Sequence, residues 1–203
     1  TDYPALLQRV AAVDRFEERP LIWRARALLA AGEQAEAESV IRAAIAIDPS
    51  DGEQGKGDRL RAYAVLGDIL ERRGDAAQAG LMRDAVAAIR LSEQADDLWD
   101  AGLLTRAVRL YEESLGRFAD AYCIQSRLAL RHSETGDHAK AEEHYRRAFE
   151  LMPESFGRVE SHCFGCEGTF NDTRAQNVAE KVFLRLAATE KPRAQVYYLL
   201  GYL

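Results

Sequence analysis

No apolar run in the 203-residue chain approaches the ~20 residues that cross a bilayer, so no membrane span is expected. A basic stripe is missing too. Lys and Arg total 27 against 33 Asp and Glu, a net charge of -6, which argues against nucleic acid as the partner. Only three cysteines occur, Cys123, Cys163 and Cys166. An odd number suggests no disulfide framework, and a reducing, cytoplasmic setting is the expectation. The chain lacks a Gly-rich phosphate loop, a nucleophile elbow and paired catalytic carboxylates. Neither an enzyme nor a cofactor is expected within these residues, although a catalytic domain could lie outside them. Thr1 opens no signal-peptide pattern, and the closing "RAQVYYLLGYL" reads as a helix with no partner after it. A fragment of a longer protein is therefore expected.

Ala, Leu, Arg and Glu dominate while β-branched residues are few, which favours helix. The helices repeat. "AGEQAEAESVIRAAIAIDP", "RGDAAQAGLMRDAV", "AGLLTRAVRLYEESL" and "TGDHAKAEEHYRRAFELMP" share one layout, a Gly followed by a small residue and a bulky one four later. An amphipathic segment precedes each: "LIWRARALLAAG", "LRAYAVLGDILERRG", "SEQADDLWDAG" and "YCIQSRLALRHSETG". The markers Gly32, Gly74, Gly102 and Gly136 stand 42, 28 and 34 residues apart. The pattern predicts helices near 20–31, 34–47, 58–73, 75–100, 103–115, 119–135, 138–151, 157–169, 174–189 and 193–203.

Two departures interrupt the period. "DPSDGEQGKGD", Asp48 to Asp58, predicts a mobile polar loop. Between Gly80 and Gly102 no Gly or Pro occurs, and Leu81, Ala85, Ala88, Leu91, Ala95 and Leu98 form one stripe. A tight turn near Arg90 and one long helix from about Asp75 to Asp100 both fit this stripe. Gly67 is expected at a close helix crossing.

The mean spacing and the residues at fixed offsets resemble the tetratricopeptide repeat family. Leu128-Ala129, Ala141, Tyr145, Ala148 and Pro153 carry the likeness in one unit, and Leu21, Ala25, Leu28, Ala37, Ile41, Ala44 and Pro49 in another. Tyr63, Leu66-Gly67, Leu70 and Ala79 carry it in a third. The resemblance implies an all-α, antiparallel helix-pair solenoid, a right-handed superhelix of about five repeats plus a partial one. It implies a single domain over 1–203. It also implies a concave face, built by the first helix of each pair, that binds a protein or peptide segment. Matched residue by residue, that face would hold Arg19, Trp23, Arg26, Arg61, Asp68, Arg72, Glu93, Asp96, Asp100, Arg127 and Glu134. It would run from basic to acidic, so a partner should bring basic residues toward the middle repeats. The Lys-Asn-Asn-Lys-Arg clamp of some family members is absent: Asn171 and Asn177 are the only asparagines. A protein-interaction scaffold is the leading expectation. A recognition arm of a larger enzyme such as a transferase is the alternative.

Trp23 and Trp99 suit binding anchors, while packing between helices is the plainer expectation for Trp99. His132, His138 and His144 have no converging partners. Glu142 with Arg146 and Glu143 with Arg147 are spaced as ion pairs on an outer helix face. "SHCFGCEG" is the odd stretch. On a helix, His162, Cys163 and Cys166 would share one face and could seed zinc, or the two thiols a redox pair. Structural zinc needs four ligands and no second pair exists. No strand precedes the motif, as a thioredoxin-like site requires. Buried, reduced, metal-free cysteines are expected, since cysteine packs as a small hydrophobe.

Overall fold

The computed structural model describes residues 2–13, 17–47, 58–153, 164–189 and 191–203. Among them are eleven helices and no strand. They are α1 (Tyr3–Val13), α2 (Arg19–Ala30), α3 (Gln34–Ile47), α4 (Asp58–Arg73), α5 (Ala76–Asp100), α6 (Leu104–Arg117), α7 (Tyr122–Thr135), α8 (His138–Leu151), α9 (Phe164–Asn171), α10 (Thr173–Ala187) and α11 (Ala194–Tyr202).

Four turns define the repeat. Gly32, Gly74, Gly102 and Gly136 all adopt positive φ, between 79° and 85°. In this region a Cβ would strain the backbone, so glycine ends the first helix of each pair. The hydrogen bonds are the same each time. Glu33, Asp75, Leu103 and Asp137 donate their N–H to the carbonyls of Leu28, Leu70, Leu98 and His132, each at 2.9 Å. The glycine N–H groups reach Leu29, Glu71, Trp99 and Ser133. Carbonyls that a helix end leaves open are thereby satisfied. At two of these turns the residue after glycine starts the next helix. Asp75 Oδ1 accepts from the Gln78 N–H at 3.1 Å, and Asp137 Oδ1 from the Lys140 N–H at 3.3 Å. A Gly-Asp dipeptide thus closes one helix and opens its partner.

Close packing divides the chain into two compact units, Thr1–Arg90 and Leu91–Leu203. In the first, Ile22, Leu28, Ile41, Leu66, Ile69 and Leu70 fill a core around the fully covered Ala25, Ala37, Ala44 and Ala79. Alanine at the crossings lets the helices approach; the aliphatic chains fill the remaining space. Gly67 does the same for α4 and α5: a Cβ built there would lie 3.4 Å from Met82 Cβ. In the second unit, Tyr122, Tyr145, Phe149, Phe183, Val196 and Leu199 surround Ala129, Ala141 and Ala179.

Several expectations need correction or completion. α5 runs unbroken from Ala76 to Asp100, so no turn forms near Arg90. α1 was not expected, yet its start is written in the sequence. Asp2 Oδ1 accepts from the Ala5 N–H at 3.2 Å, and Pro4 sits in the first turn. Glu142 and Arg146 do not pair with each other, nor do Glu143 and Arg147. Arg146 pairs with Glu150, Arg147 with Asp120 at 2.7 Å, and Arg185 of α10 with Glu142 at 2.6 Å. Arg146 turns to a different carboxylate four residues on within α8, whereas Arg147 and Glu142 also find partners on neighbouring segments. The Asp48–Asp58 loop lies outside the described residues up to position 57, as does the 157–163 part of the helix expected over 157–169.

Candidate functional site

In the first unit, α2 and α4 place three of the candidate residues together. α2 buries Ile22, Ala25, Leu28 and Leu29, which turns Arg19, Trp23 and Arg26 outward three and four residues apart. Trp23 is 39% exposed. Arg26 Cζ lies over its ring, 4.6 Å from the centroid, and Arg61 Cζ of α4 lies 5.3 Å from it. Both distances suit cation–π attraction. Asp68 and Arg72 are exposed on α4. Arg72 Nη1 approaches the Leu29 carbonyl at 3.5 Å. Arg19 is held by both carboxylate oxygens of Glu17, at 2.5 and 2.6 Å.

The second unit departs from expectation. Asp96 and Arg127, expected on an open groove, are buried, with 1% and 0% of their surfaces exposed. Arg127 Nη1 lies 3.1 Å from Asp96 Oδ2 and donates to Ser92 Oγ at 3.1 Å. Arg131 Nη2 lies 3.8 Å from Asp96 Oδ1, and the Tyr111 hydroxyl donates to the same carboxylate oxygen. Arg131 also pairs with Glu134 at 3.1 Å, and its Cζ stands 4.6 Å from the Trp99 ring centroid. Two cations and a phenol on one carboxylate explain why these charges leave water: each has a partner that replaces it. Burial, with Asp96 beside it, pushes the Tyr111 phenol far above its ordinary pKa. Burial opposes the charge on Arg131, but Tyr111 and Glu134 outweigh it and raise its pKa.

Tyr111, Arg131, Ser92 and Trp99 were missed as members of this network. A signal existed. Ser92 and Asp96 stand four apart on α5, and Arg127 and Arg131 four apart on α7, so each pair lies along one helix face. Among the other candidates Glu93 is half-buried, Asp100 exposed and Glu134 half-buried. Trp99 is half-buried under Arg131, as its packing role predicted.

His144, expected on an exposed face, is half-buried. Its ring stacks on His132 with centroids 5.6 Å apart, and its Nδ1 lies 2.7 Å from Gln125 Oε1. Burial lowers the pKa of both imidazoles. A cleft of about 260 Å³ between α8 and α10 is lined by Glu142, Glu143, Arg146 and Arg185, with the Arg185–Glu142 pair spanning it. Cys123 is buried. His162 and Cys163 lie outside the described residues, as does the side chain of Cys166 on α9. Among the described residues no three His, Cys, Asp or Glu side chains form a group that could hold a metal ion. No described helix is long and apolar enough to cross a membrane.

Comparison with known proteins bears on this arrangement. No curated protein matches the sequence. Among solved structures, the chain is similar to YrrB, a TPR protein described as having an unusual peptide-binding site. The match is at 10% identity, over 97% of this chain and 91% of that one, with a TM-score of 0.36. The family model for the tetratricopeptide repeat matches residues 5–52 and 92–155, more than half of the sequence. Those segments contain three of the four left-handed glycine turns, and the chain belongs to the tetratricopeptide repeat family.

Proposed function

We propose that this chain is a protein-interaction scaffold that binds, rather than transforms, a segment of a partner along the first helices of its pairs. The observation that carries this is the Trp23–Arg26–Arg61 cluster. It puts a large aromatic ring and the Arg26 guanidinium at the surface, with half-buried Arg61 of the adjacent first helix at the same ring. Trp and Arg dominate the energetics of protein interfaces because each combines broad apolar contact with directed polar groups. A solenoid of helix pairs repeats such surfaces at fixed intervals, which suits an extended or helical segment. Of the candidate acids on the second unit, Asp100 is exposed and Glu93 and Glu134 are half-buried. A partner that reaches them carries Lys or Arg there, which sets register and encounter rate more than affinity.

Panning a displayed peptide library on the immobilised protein tests the reading. Enriched peptides should lose binding to Trp23→Ala or to Asp100→Lys. Circular dichroism should match wild type in both variants. Enrichment no greater than on bare support would refute it.

A further inference from the structure

We infer that the first unit takes an acidic protein segment whose carboxylates dock on Arg26 and Arg61 beside the Trp23 ring. This rests on the scaffold reading and adds the chemistry of the occupant. The charges of the first unit sort into two kinds. Arg24 pairs with Glu36, Arg73 with Glu38 at 2.7 Å, Arg42 with Glu38 at 2.9 Å and Arg83 with Glu71 at 3.5 Å. These arginines are already neutralised by the fold. Arg26 is not: it makes no ion pair among the described residues, and its recorded contact is the Trp23 ring. Arg61 adds a second guanidinium at the same ring, and its part here rests on that position alone.

The position of Arg26 over the ring prepares the cluster for a carboxylate. A guanidinium over an indole uses its π face, while its N–H donors lie in its plane and remain suited to two parallel bonds to a carboxylate. The ring also limits the rotamers a long arginine must give up on binding. A neutral segment covering this surface would strip water from Arg26 without replacing it, and a basic segment would add repulsion. An apolar side chain next to the acid would lie on the exposed part of Trp23. A long polyanion is a poorer fit, because it meets the net charge of -6 of the whole chain, whereas a short segment meets mainly the local field.

Fluorescence anisotropy of short labelled peptides provides the test. The probes are an alternating Glu/Leu peptide, its Gln/Leu and Lys/Leu counterparts, and an oligothymidine of similar length. The Glu/Leu peptide should bind at least about tenfold tighter than either counterpart and weaken as salt rises. Arg26→Glu should reduce that binding about tenfold or more, Trp23→Ala should reduce it, and Arg26→Lys should fall between wild type and Arg26→Glu. All of these sites are exposed, and matching circular dichroism verifies folding. Equal binding of the Gln/Leu peptide, or no effect of Arg26→Glu, overturns the inference. So does oligothymidine binding as tightly with the same Arg26 dependence. If the library instead yields neutral or basic ligands that depend on Trp23, the scaffold reading stands and the acidic occupant falls. If neither the library nor the Glu/Leu peptide binds, both fall.

Discussion

Replacing Asp96 by alanine removes the one carboxylate that Arg127, Arg131 and Tyr111 share. Arg127 is fully buried and Arg131 is 6% exposed, so neither can recover water without moving helix α7. Breaking a buried pair from one side costs about 3–5 kcal/mol, because the remaining charge is stranded. Arg131 retains Glu134 and Trp99, which places the loss nearer the lower end of that range. In a chain of this size each kcal/mol lowers the melting temperature by about 2–4 °C, so the drop should be about 6–20 °C. Urea unfolding followed by Trp99 fluorescence in a Trp23→Phe background reports on this unit, since Arg131 Cζ lies 4.6 Å from the Trp99 ring centroid. The double variant Asp96→Leu/Arg127→Leu should recover most of the loss, because a buried ion pair and an apolar pair of similar volume are close in stability. A loss under about 1 kcal/mol in Asp96→Ala would refute the reasoning, as would a double variant no more stable than the single one.

Four further outcomes follow from other parts of the fold. The stacked His132 and His144 have pKa values held below the ordinary 6.5 by burial, and His132 lowers His144 further; Asp137, Glu112 and Glu143 pull upward while Lys140 adds to the lowering. The unfolded chain therefore binds more protons below about pH 6.5, so this contribution to stability is complete above that pH and is lost as pH falls. Urea midpoints measured at about pH 7.5 and about pH 5.5 should show that slope, and His144→Phe should flatten it. Asp172 Oδ1 accepts from the N–H groups of Arg174 and Ala175 at 2.9 Å each, so Asp172→Ala should cost about 0.5–2 kcal/mol in thermal or urea unfolding. Gly67→Ala should be tolerated, with its Cβ 3.4 Å from Met82 Cβ, but Gly67→Leu should overpack the crossing by about 1–3 kcal/mol. Gly168→Ala is the harsher small change, because its Cβ would come within 2.4 Å of Leu130 Cδ2 and force that side chain to shift, which calorimetry would register as a lower melting temperature.

The repeat itself was legible in the amino-acid order. Gly32, Gly74, Gly102 and Gly136 each occupy the one position per pair where the backbone turns left-handed, and that constraint acts within a few residues. Periodic alanines beside bulky residues likewise disclosed which helix face is inward. α1 was equally local, marked by Asp2 and Pro4, and was passed over because no glycine-closed pair announces it. The clustering of Trp23 with Arg26 was half visible, since both share one face of α2. Arg61 joins them only because α4 packs beside α2. The fate of the acids and bases on α5 and α7 was a tertiary matter throughout. A charged residue reads as solvated when considered alone, and Asp96 and Arg127 read that way. Their burial depends on residues about thirty positions apart arriving at the same place with opposite charge. Local sequence governs where a helix starts, turns and shows its apolar side. Whether a charge stays in water is decided by the neighbours that tertiary packing brings to replace that water.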